Sequence, residues 1–207
     1  MGMAPIDKLT KDERGALLED LNYLNLGEIK TFCKARGIPY RIVVEEPDGQ
    51  KKSTGEDDRK GVILERVRNY LLTGKIGEET RFPSGVVNFG RPAKEPVSSD
   101  KVFYGQYDKG NAARLGLLKT LTGGEFRDGA IARILAREFW TRGEAPSFAE
   151  FAQAWLKASA EHTKPNPEWA FLTDRSNRTA PKDWKRLRER KASAALKILE
   201  RIAPTQK

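Results

Sequence analysis

The sequence is poor in cysteine and in long hydrophobic runs. Its one cysteine, Cys33, has no partner for an internal disulfide, which fits a reducing, cytosolic setting. No apolar stretch approaches the roughly 18 residues that a membrane-spanning helix needs, and the first residues contain no hydrophobic signal core. The sequence therefore predicts a cytoplasmic protein, associated with the nucleoid in a prokaryote or located in the nucleus of a eukaryote.

Residues that usually carry catalysis or hold cofactors are also scarce. The only histidine, His162, has no cysteine or acidic pair near it at metal-ligand spacing. The acidic triplet Glu56–Asp58 could bind a metal ion, but helix capping explains it better. Tyr104 and Tyr107 could attack DNA as nucleophiles, yet no histidine or catalytic arginine accompanies them. The glycines form neither a P-loop nor a dinucleotide fingerprint. No cofactor, metal site or catalytic residue is therefore predicted.

What the sequence does have is an excess of positive charge near its C-terminal end. The chain contains 38 Lys and Arg against 29 Asp and Glu, a formal net charge of +9. Residues 1–100 contain 17 basic and 17 acidic residues, whereas residues 101–207 contain 21 and 12. This balance favours a polyanionic partner, and any electrostatic function must involve the C-terminal part.

Capping signals and hydrophobic periodicity predict a mainly α fold. It consists of an N-terminal helix–loop–helix with a small β-hairpin insert and a C-terminal helical domain. Thr10–Glu13 and Ser147–Glu150 have the capping-box pattern, and Pro181 suits the first turn of a last helix. Pro47–Gly49 is typical of a hairpin turn. The predicted helices lie near 11–21, 25–37, 59–72, 109–121, 128–142, from 147 onward, and over 181–202.

Composition divides the chain into four predicted parts. They are a flexible tail (1–9), a helical domain (10–76) with a hairpin insert (41–56), a linker (77–100), and a helical domain with a basic C-terminal helix (101–207). The linker is predicted from the prolines and glycines between Pro83 and Pro96. Asp57 or Asp58 is expected to cap the helix over 59–72. The predicted apolar stripe of the last helix is Trp184, Leu187, Ala194, Ile198 and Ile202.

Two short amphipathic helices separated by a long loop form the most informative pattern. Asn25 can cap the first helix, Gly37 can end it in the left-handed conformation, and Pro39 prevents its continuation. Over about residues 24–72 the pattern resembles the SAP motif, a helix–extended loop–helix family. The residues that carry the resemblance are Leu24, Leu26, Glu28-Ile29-Lys30, Phe32-Cys33, Arg36-Gly37-Ile38-Pro39, Lys60, Ile63, Glu65-Arg66-Val67 and Leu71.

The resemblance implies a DNA-binding element of the kind that tethers another domain to chromosomal DNA, with a preference for AT-rich sequence. Carried over residue by residue, it implicates Lys30, Arg36, Gly37, Lys60 and Arg66, with Lys34 on the same helix. Backbone N–H groups that open the helices would be further phosphate donors. The alternative is that these cations are simply the solvated side of an amphipathic helix.

This chain differs from the family in the length of its connecting loop. Where the family has a brief connection, about 20 residues lie between the helices, from Tyr40 to Arg59. This insert carries more acidic than basic residues. An ordered hairpin is the expected structure, and its negative balance argues against contact with DNA.

The basic run near the C-terminus is a second candidate for phosphate contact. Arg175 to Lys191 contains eight basic and two acidic residues. Its basic residues are Arg175, Arg178, Lys182, Lys185, Arg186, Arg188, Arg190 and Lys191. They could follow a phosphate backbone with Trp184 or Trp169 available for stacking, or they could form a solubilising surface.

Three hypotheses follow from these patterns. The first is a non-catalytic protein that binds DNA, mainly double-stranded and without sequence specificity, through the SAP-like part and the basic C-terminal helix. The second is a protein-interaction adaptor that presents a groove of the helical module to a partner helix. The third is a DNA-modifying enzyme whose site lies in the C-terminal domain.

Overall fold

The computed structural model describes residues 3–107, 110–161 and 181–203, with the backbone alone for residues 181 and 182. It is mainly helical with a small three-stranded sheet, which confirms the predicted fold class. The helices are α1 (Lys11–Asp20), α2 (Leu26–Arg36), α3 (Lys60–Thr73), α4 (Ala112–Leu121), α5 (Ala130–Thr141), α6 (Phe148–Glu161) and α7 (Pro181–Ile202). The strands are β1 (Arg41–Glu45), β2 (Lys51–Asp57) and β3 (Arg81–Phe82). In these described ranges no helix combines the length and hydropathy of a membrane-spanning segment.

Capping residues set the starts of the helices, as predicted. The Thr10 side chain accepts a hydrogen bond from the Glu13 N–H, and the Glu13 carboxylate accepts one from the Thr10 N–H at 2.9 Å. Ser147 and Glu150 make the same reciprocal pair at the start of α6. Each pair satisfies N–H groups that the first helical turn leaves without intrahelical partners.

The chain folds into two compact units that interleave along the sequence. Unit 1 contains described residues 3–41, 56–79 and 181–203, and unit 2 contains residues 42–55, 80–107 and 110–161. The apolar core of unit 1 includes Leu17, Leu21, Ile29, Cys33, Ile63, Leu64, Leu71, Ala195 and Leu199. That of unit 2 includes Ile42, Phe82, Val86, Phe126, Ala132, Ala136, Trp140, Phe151 and Trp155.

The sheet of unit 2 has the order β2-β1-β3, with the predicted hairpin supplying two of its strands. β3 pairs parallel to β1, with Val43 opposite Arg81 and Val44 opposite Phe82. Because Phe82 and Val86 are fully buried, the segment predicted as a linker (77–100) contributes strand and core instead.

The N-terminal segment also differs from its prediction as a flexible tail (1–9). Residues Pro5–Lys8 form a short 3₁₀ turn, and Ile6 and Leu9 are buried in the core of unit 1. Two apolar residues spaced three apart are enough to anchor so short a segment once a neighbouring core accepts them.

Helix α7 has the predicted bounds but a different location and orientation from those predicted. It belongs to unit 1, so residues 101–207 do not form one domain. Its buried residues are Ala192, Ala195, Leu199 and Ile202, whereas Ala194 of the predicted stripe is exposed. The predicted stripe was chosen mainly from large side chains and therefore missed the small residues Ala192 and Ala195, which share the buried face with Leu199 and Ile202.

Candidate nucleic-acid interface

Helices α2 and α3 form the helix–loop–helix pair that the sequence predicts. Asn25 caps α2 through its side chain, which accepts a hydrogen bond from the Glu28 N–H at 2.9 Å. Gly37 ends α2 with φ of 66°, a left-handed conformation that costs glycine little. The two helices pack through Ile29 and Ile63 in the core of unit 1.

Two of the cations expected to contact phosphate are held by carboxylates of the insert instead. The Lys30 Nζ lies 2.5 Å from the Asp57 carboxylate, and the Arg66 guanidinium lies 3.0 Å from that of Asp58. The second pair is buried, with side chains 11% and 4% exposed. Asp58 therefore fixes Arg66 and does not cap α3, whose N-cap is Arg59 without a side-chain cap.

The remaining predicted cations of this module are placed differently from one another. The Lys60 Nζ donates to the Asn22 carbonyl at 2.6 Å, and this bond connects α3 to the segment between α1 and α2. The Arg36 guanidinium lies over the Phe32 ring, 4.0 Å from its centroid, and burial lowers its pKa. Lys34 is exposed and makes no ion pair within the described residues. Among the cations implicated on α2, Lys34 is thus the one that presents its charge to solvent.

The N-terminus of α2, a predicted phosphate donor site, is already occupied by a carboxylate. Glu28 accepts a hydrogen bond from the Asn25 N–H at 2.7 Å and forms an ion pair with Arg188 of α7. A phosphate would have to displace this carboxylate to reach the same N–H groups. The geometry therefore disfavours anion binding at this helix end.

Six cations of α7 fall into two sets that differ in whether they have ion-pair partners. The first set forms ion pairs inside unit 1: Arg188 with Glu28, Lys191 with Asp20 at 2.7 Å, and Arg201 with Glu13. The pair with Asp20 raises the pKa of Lys191. These three cations fasten α7 to α1 and α2, so they contribute to the fold and not to a free basic surface.

Arg201 gives the stability of unit 1 a pH dependence through Glu13. Hydrogen bonds from Arg201 and Thr10 lower the pKa of Glu13 to about 2, below the roughly 4.3 of an unfolded chain. The stabilisation is therefore complete above about pH 4.3 and is lost as the pH falls through about 2. We expect the difference in urea midpoint between wild type and Glu13→Gln to shrink over this pH range.

Glu65→Gln is the matched control for this pH series. Glu65 is exposed and makes no ion pair within the described part of the chain. Its midpoint difference from wild type should stay constant as the pH falls. A constant difference for Glu13→Gln as well would contradict the prediction.

The second set of α7 cations forms a stripe along its outer face. Arg186, Arg190 and Lys197 are exposed, and none of them has an ion-pair partner within the described residues. At 100° per residue they fall within about 40° of one another, opposite Ala192 and Ala195. We call these three residues the outer stripe. Arg186 and Arg190 belong to the basic run predicted to contact phosphate, whereas Lys197 was not predicted, although its spacing of seven residues from Arg190 places it on the same face.

The other predicted cations of the C-terminal run do not extend the outer stripe within the described residues. Lys185 is exposed and lies 4.0 Å from Glu189, one turn further along α7. Arg175 and Arg178 lie outside the described residues, as does the side chain of Lys182. Asp183, Glu189 and Glu200 are the acidic residues of α7 that lie beside the outer stripe at 100° per residue.

The adaptor hypothesis requires an apolar groove, and a groove of about 370 Å³ runs between α2 and α7. Five of its eight lining residues are charged: Glu28, Arg188, Glu189, Lys197 and Glu200. A groove of this composition offers little apolar area for a partner helix to bury.

The side chains considered for catalysis are buried or paired. Burial raises the pKa of the Tyr107 phenol, which also donates to Asp128 at 3.4 Å, and Tyr104 is packed among aromatic rings. Cys33 is fully buried in the core of unit 1, and this burial raises the pKa of its thiol to about 12. In the described ranges no group of acidic, histidine or cysteine side chains could hold a metal ion.

Comparisons with protein-family models, curated proteins and solved structures found no match. The likeness to the SAP motif therefore depends on the matching residues of α2 and α3 alone.

Proposed function

We propose that the protein binds double-stranded DNA without sequence specificity through the outer stripe of α7. The observation that carries this proposal is the division of the α7 cations. Arg188, Lys191 and Arg201 are used internally, whereas Arg186, Arg190 and Lys197 share one solvent-facing side. Cations arranged along one face of a helix can neutralise successive phosphates and release their counterions.

The SAP-like part has a smaller role in this proposal than its sequence implies. Its helix–loop–helix geometry positions α7 through the Glu28–Arg188 ion pair, and Lys34 is its exposed cation. A protein of this kind works where chromosomal DNA is, in the cytoplasm of a prokaryote or in a nucleus.

The salt dependence of duplex binding tests the outer stripe. Each phosphate contact contributes about 0.9 to the log–log salt slope. We expect the triple variant Arg186→Gln/Arg190→Gln/Lys197→Gln to reduce the slope by about 2.7. When the salt concentration rises from about 50 to about 200 mM, the fold-loss of affinity should therefore be about 40 times smaller for the variant than for wild type. Fluorescence anisotropy of a labelled duplex over a salt series measures this slope.

A variant that loses the same charge elsewhere is the control. Lys11, Lys119 and Lys157 are exposed lysines on other helices, and their joint replacement by glutamine should leave the slope near that of wild type. Glu189→Gln should strengthen binding, because it removes one of the carboxylates beside the stripe. Equal slopes for the two triple variants would refute the proposed location of the site.

A further inference from the structure

Unit 2 presents an aromatic side chain that its own core does not use. Phe89 is 68% exposed, the highest value among the large hydrophobic side chains described. It lies between Val86, which is fully buried, and the exposed Arg91. The surrounding segment therefore belongs to the folded core, while the ring itself faces solvent.

Hydrogen bonds hold the backbone around Phe89 in one conformation. The Asn88 N–H donates to the Tyr104 carbonyl at 2.9 Å, and the Tyr104 N–H donates to Val86 at 2.9 Å. The Gly90 N–H donates to the Asn88 side chain at 2.8 Å, and the Gln106 amide donates to the Gly90 carbonyl at 3.2 Å. An exposed ring on so well-bonded a loop loses little conformational entropy when it meets a ligand.

One side of the Phe89 ring rests on unit 2. Its centroid lies 6.0 Å from that of Tyr104 in an edge-to-face arrangement. Gly105 has φ of 89°, and a Cβ atom there would lie 2.7 Å from both Phe89 Cδ1 and the Asn88 carbonyl oxygen. Only glycine allows this approach, so Gly105 fixes the ring position and leaves the remaining surface open.

The charge of the segment that follows Phe89 indicates the chemistry of a partner. Arg91 and Lys94 are exposed, make no ion pair within the described residues, and have no acidic residue between them and Val86. Glu95 is the nearest acidic residue after them. An exposed aromatic ring followed within five residues by two exposed cations suits a nucleobase attached to a phosphate backbone, because every base has a π face and every nucleotide carries an anion.

We propose that Phe89 stacks on an unpaired base of single-stranded nucleic acid, with Arg91 and Lys94 binding the adjacent phosphates. This site lies in unit 2, and it is separate from duplex binding by the outer stripe. Stacking requires a base whose face is accessible, which a closed duplex does not offer at its interior positions.

The test compares two strands that carry the same phosphates. Fluorescence anisotropy is measured with single-stranded oligothymidylate and with an abasic strand of equal length. A stacked base is worth about 1–3 kcal/mol, so we expect Phe89→Ala to weaken binding to oligothymidylate by between about 5-fold and about 150-fold. Its affinity for the abasic strand and its salt slope should equal those of wild type.

Matched variants separate stacking from general effects. Phe89→Trp should retain oligothymidylate binding because it keeps an aromatic face. Val97→Ala, at another exposed apolar residue of the same segment, should have no effect. Arg91→Gln/Lys94→Gln should weaken binding to both strands and reduce the salt slope.

Three results would overturn the proposal, and each leaves duplex binding by α7 separately testable. They are equal affinity of wild type for the two strands, unchanged oligothymidylate binding by Phe89→Ala, and equal loss on both strands. The second result would direct attention to an apolar protein partner for the same ring. If the outer-stripe variant keeps the wild-type salt slope on duplex DNA but Phe89→Ala loses oligothymidylate binding, the protein binds single strands through unit 2 and the outer stripe is not a duplex site.

Discussion

Replacing Asp58 by alanine should lower the free energy of unfolding of unit 1 by about 3–5 kcal/mol, the cost of leaving a buried charge without its partner. Asp58 is 5% exposed and accepts hydrogen bonds from Arg66 at 3.0 Å and from the Arg59 N–H at 2.9 Å. The same Arg66 nitrogen donates to the Pro39 carbonyl at 3.2 Å. In the variant, the buried guanidinium would lose the Asp58 carboxylate.

Asp57→Ala is the control for this experiment, since it breaks a neighbouring ion pair of the same type. Lys30 and Asp57 are 33% and 24% exposed, so water can replace the lost partner. The expected cost is under about 1 kcal/mol. Urea unfolding gives the free energies, and hydrogen exchange of α1 and α3 amides assigns the loss to unit 1.

A double variant tests whether the cost comes from the unpaired charge. Asp58→Leu/Arg66→Met replaces both members of the pair by apolar groups, and it should recover much of the stability that Asp58→Ala loses. A loss as small for Asp58→Ala as for Asp57→Ala would show that water reaches Arg66 and would contradict its burial.

Local signals predicted the helices of this protein well because those signals act over three or four residues. Thr10 with Glu13, Ser147 with Glu150, and the pair Asn25 and Gly37 each satisfy or end a helix within one turn. Such residues have the same partners in any tertiary setting. Their helices accordingly begin and end close to the predicted positions.

Segments whose structure depends on distant partners were not predictable in the same way. Phe82 and Val86 occur among prolines and glycines that indicate a linker, and nothing local shows that Phe82 pairs with β1 or that Val86 is buried. Ile6 and Leu9 likewise gain their structure from the core of unit 1. Burial of a few apolar residues was decided by contacts far apart in sequence.

The sequence predicted which segment is basic, but it did not predict which of the cations form ion pairs with carboxylates of unit 1. The basic character of α7 is evident from the sequence, and helical spacing places Arg186, Arg190 and Lys197 on one face. That Arg188 is bound by Glu28, and Lys30 by Asp57, depends on tertiary contacts across 160 and 27 residues. Phe89 was missed because it lies in a predicted linker, although an aromatic residue among glycine and proline was the available signal.

The second large effect is expected in unit 2, where Trp140→Ala should cost about 3–5 kcal/mol. Trp140 is 5% exposed, and its ring lies 5.6 Å from Phe82 and 5.5 Å from Tyr104. Its indole N–H donates to the Val102 carbonyl at 2.9 Å in a buried setting. The variant therefore loses aromatic packing and leaves a buried carbonyl without its donor.

Trp140→Phe separates these two contributions. Phenylalanine keeps most of the ring packing but cannot donate to Val102, so its cost should approach the 1–3 kcal/mol of an unsatisfied buried group. Phe139→Ala, at the half-buried neighbouring position, should cost less than Trp140→Ala. Urea unfolding measures all three, and hydrogen exchange of α5 and α6 amides assigns the loss to unit 2. Equal costs for Trp140→Ala and Phe139→Ala would contradict a central position of Trp140 in this core.

Since Tyr104 contacts both Trp140 and Phe89, Trp140→Ala should also weaken oligothymidylate binding, whereas Phe139→Ala should not.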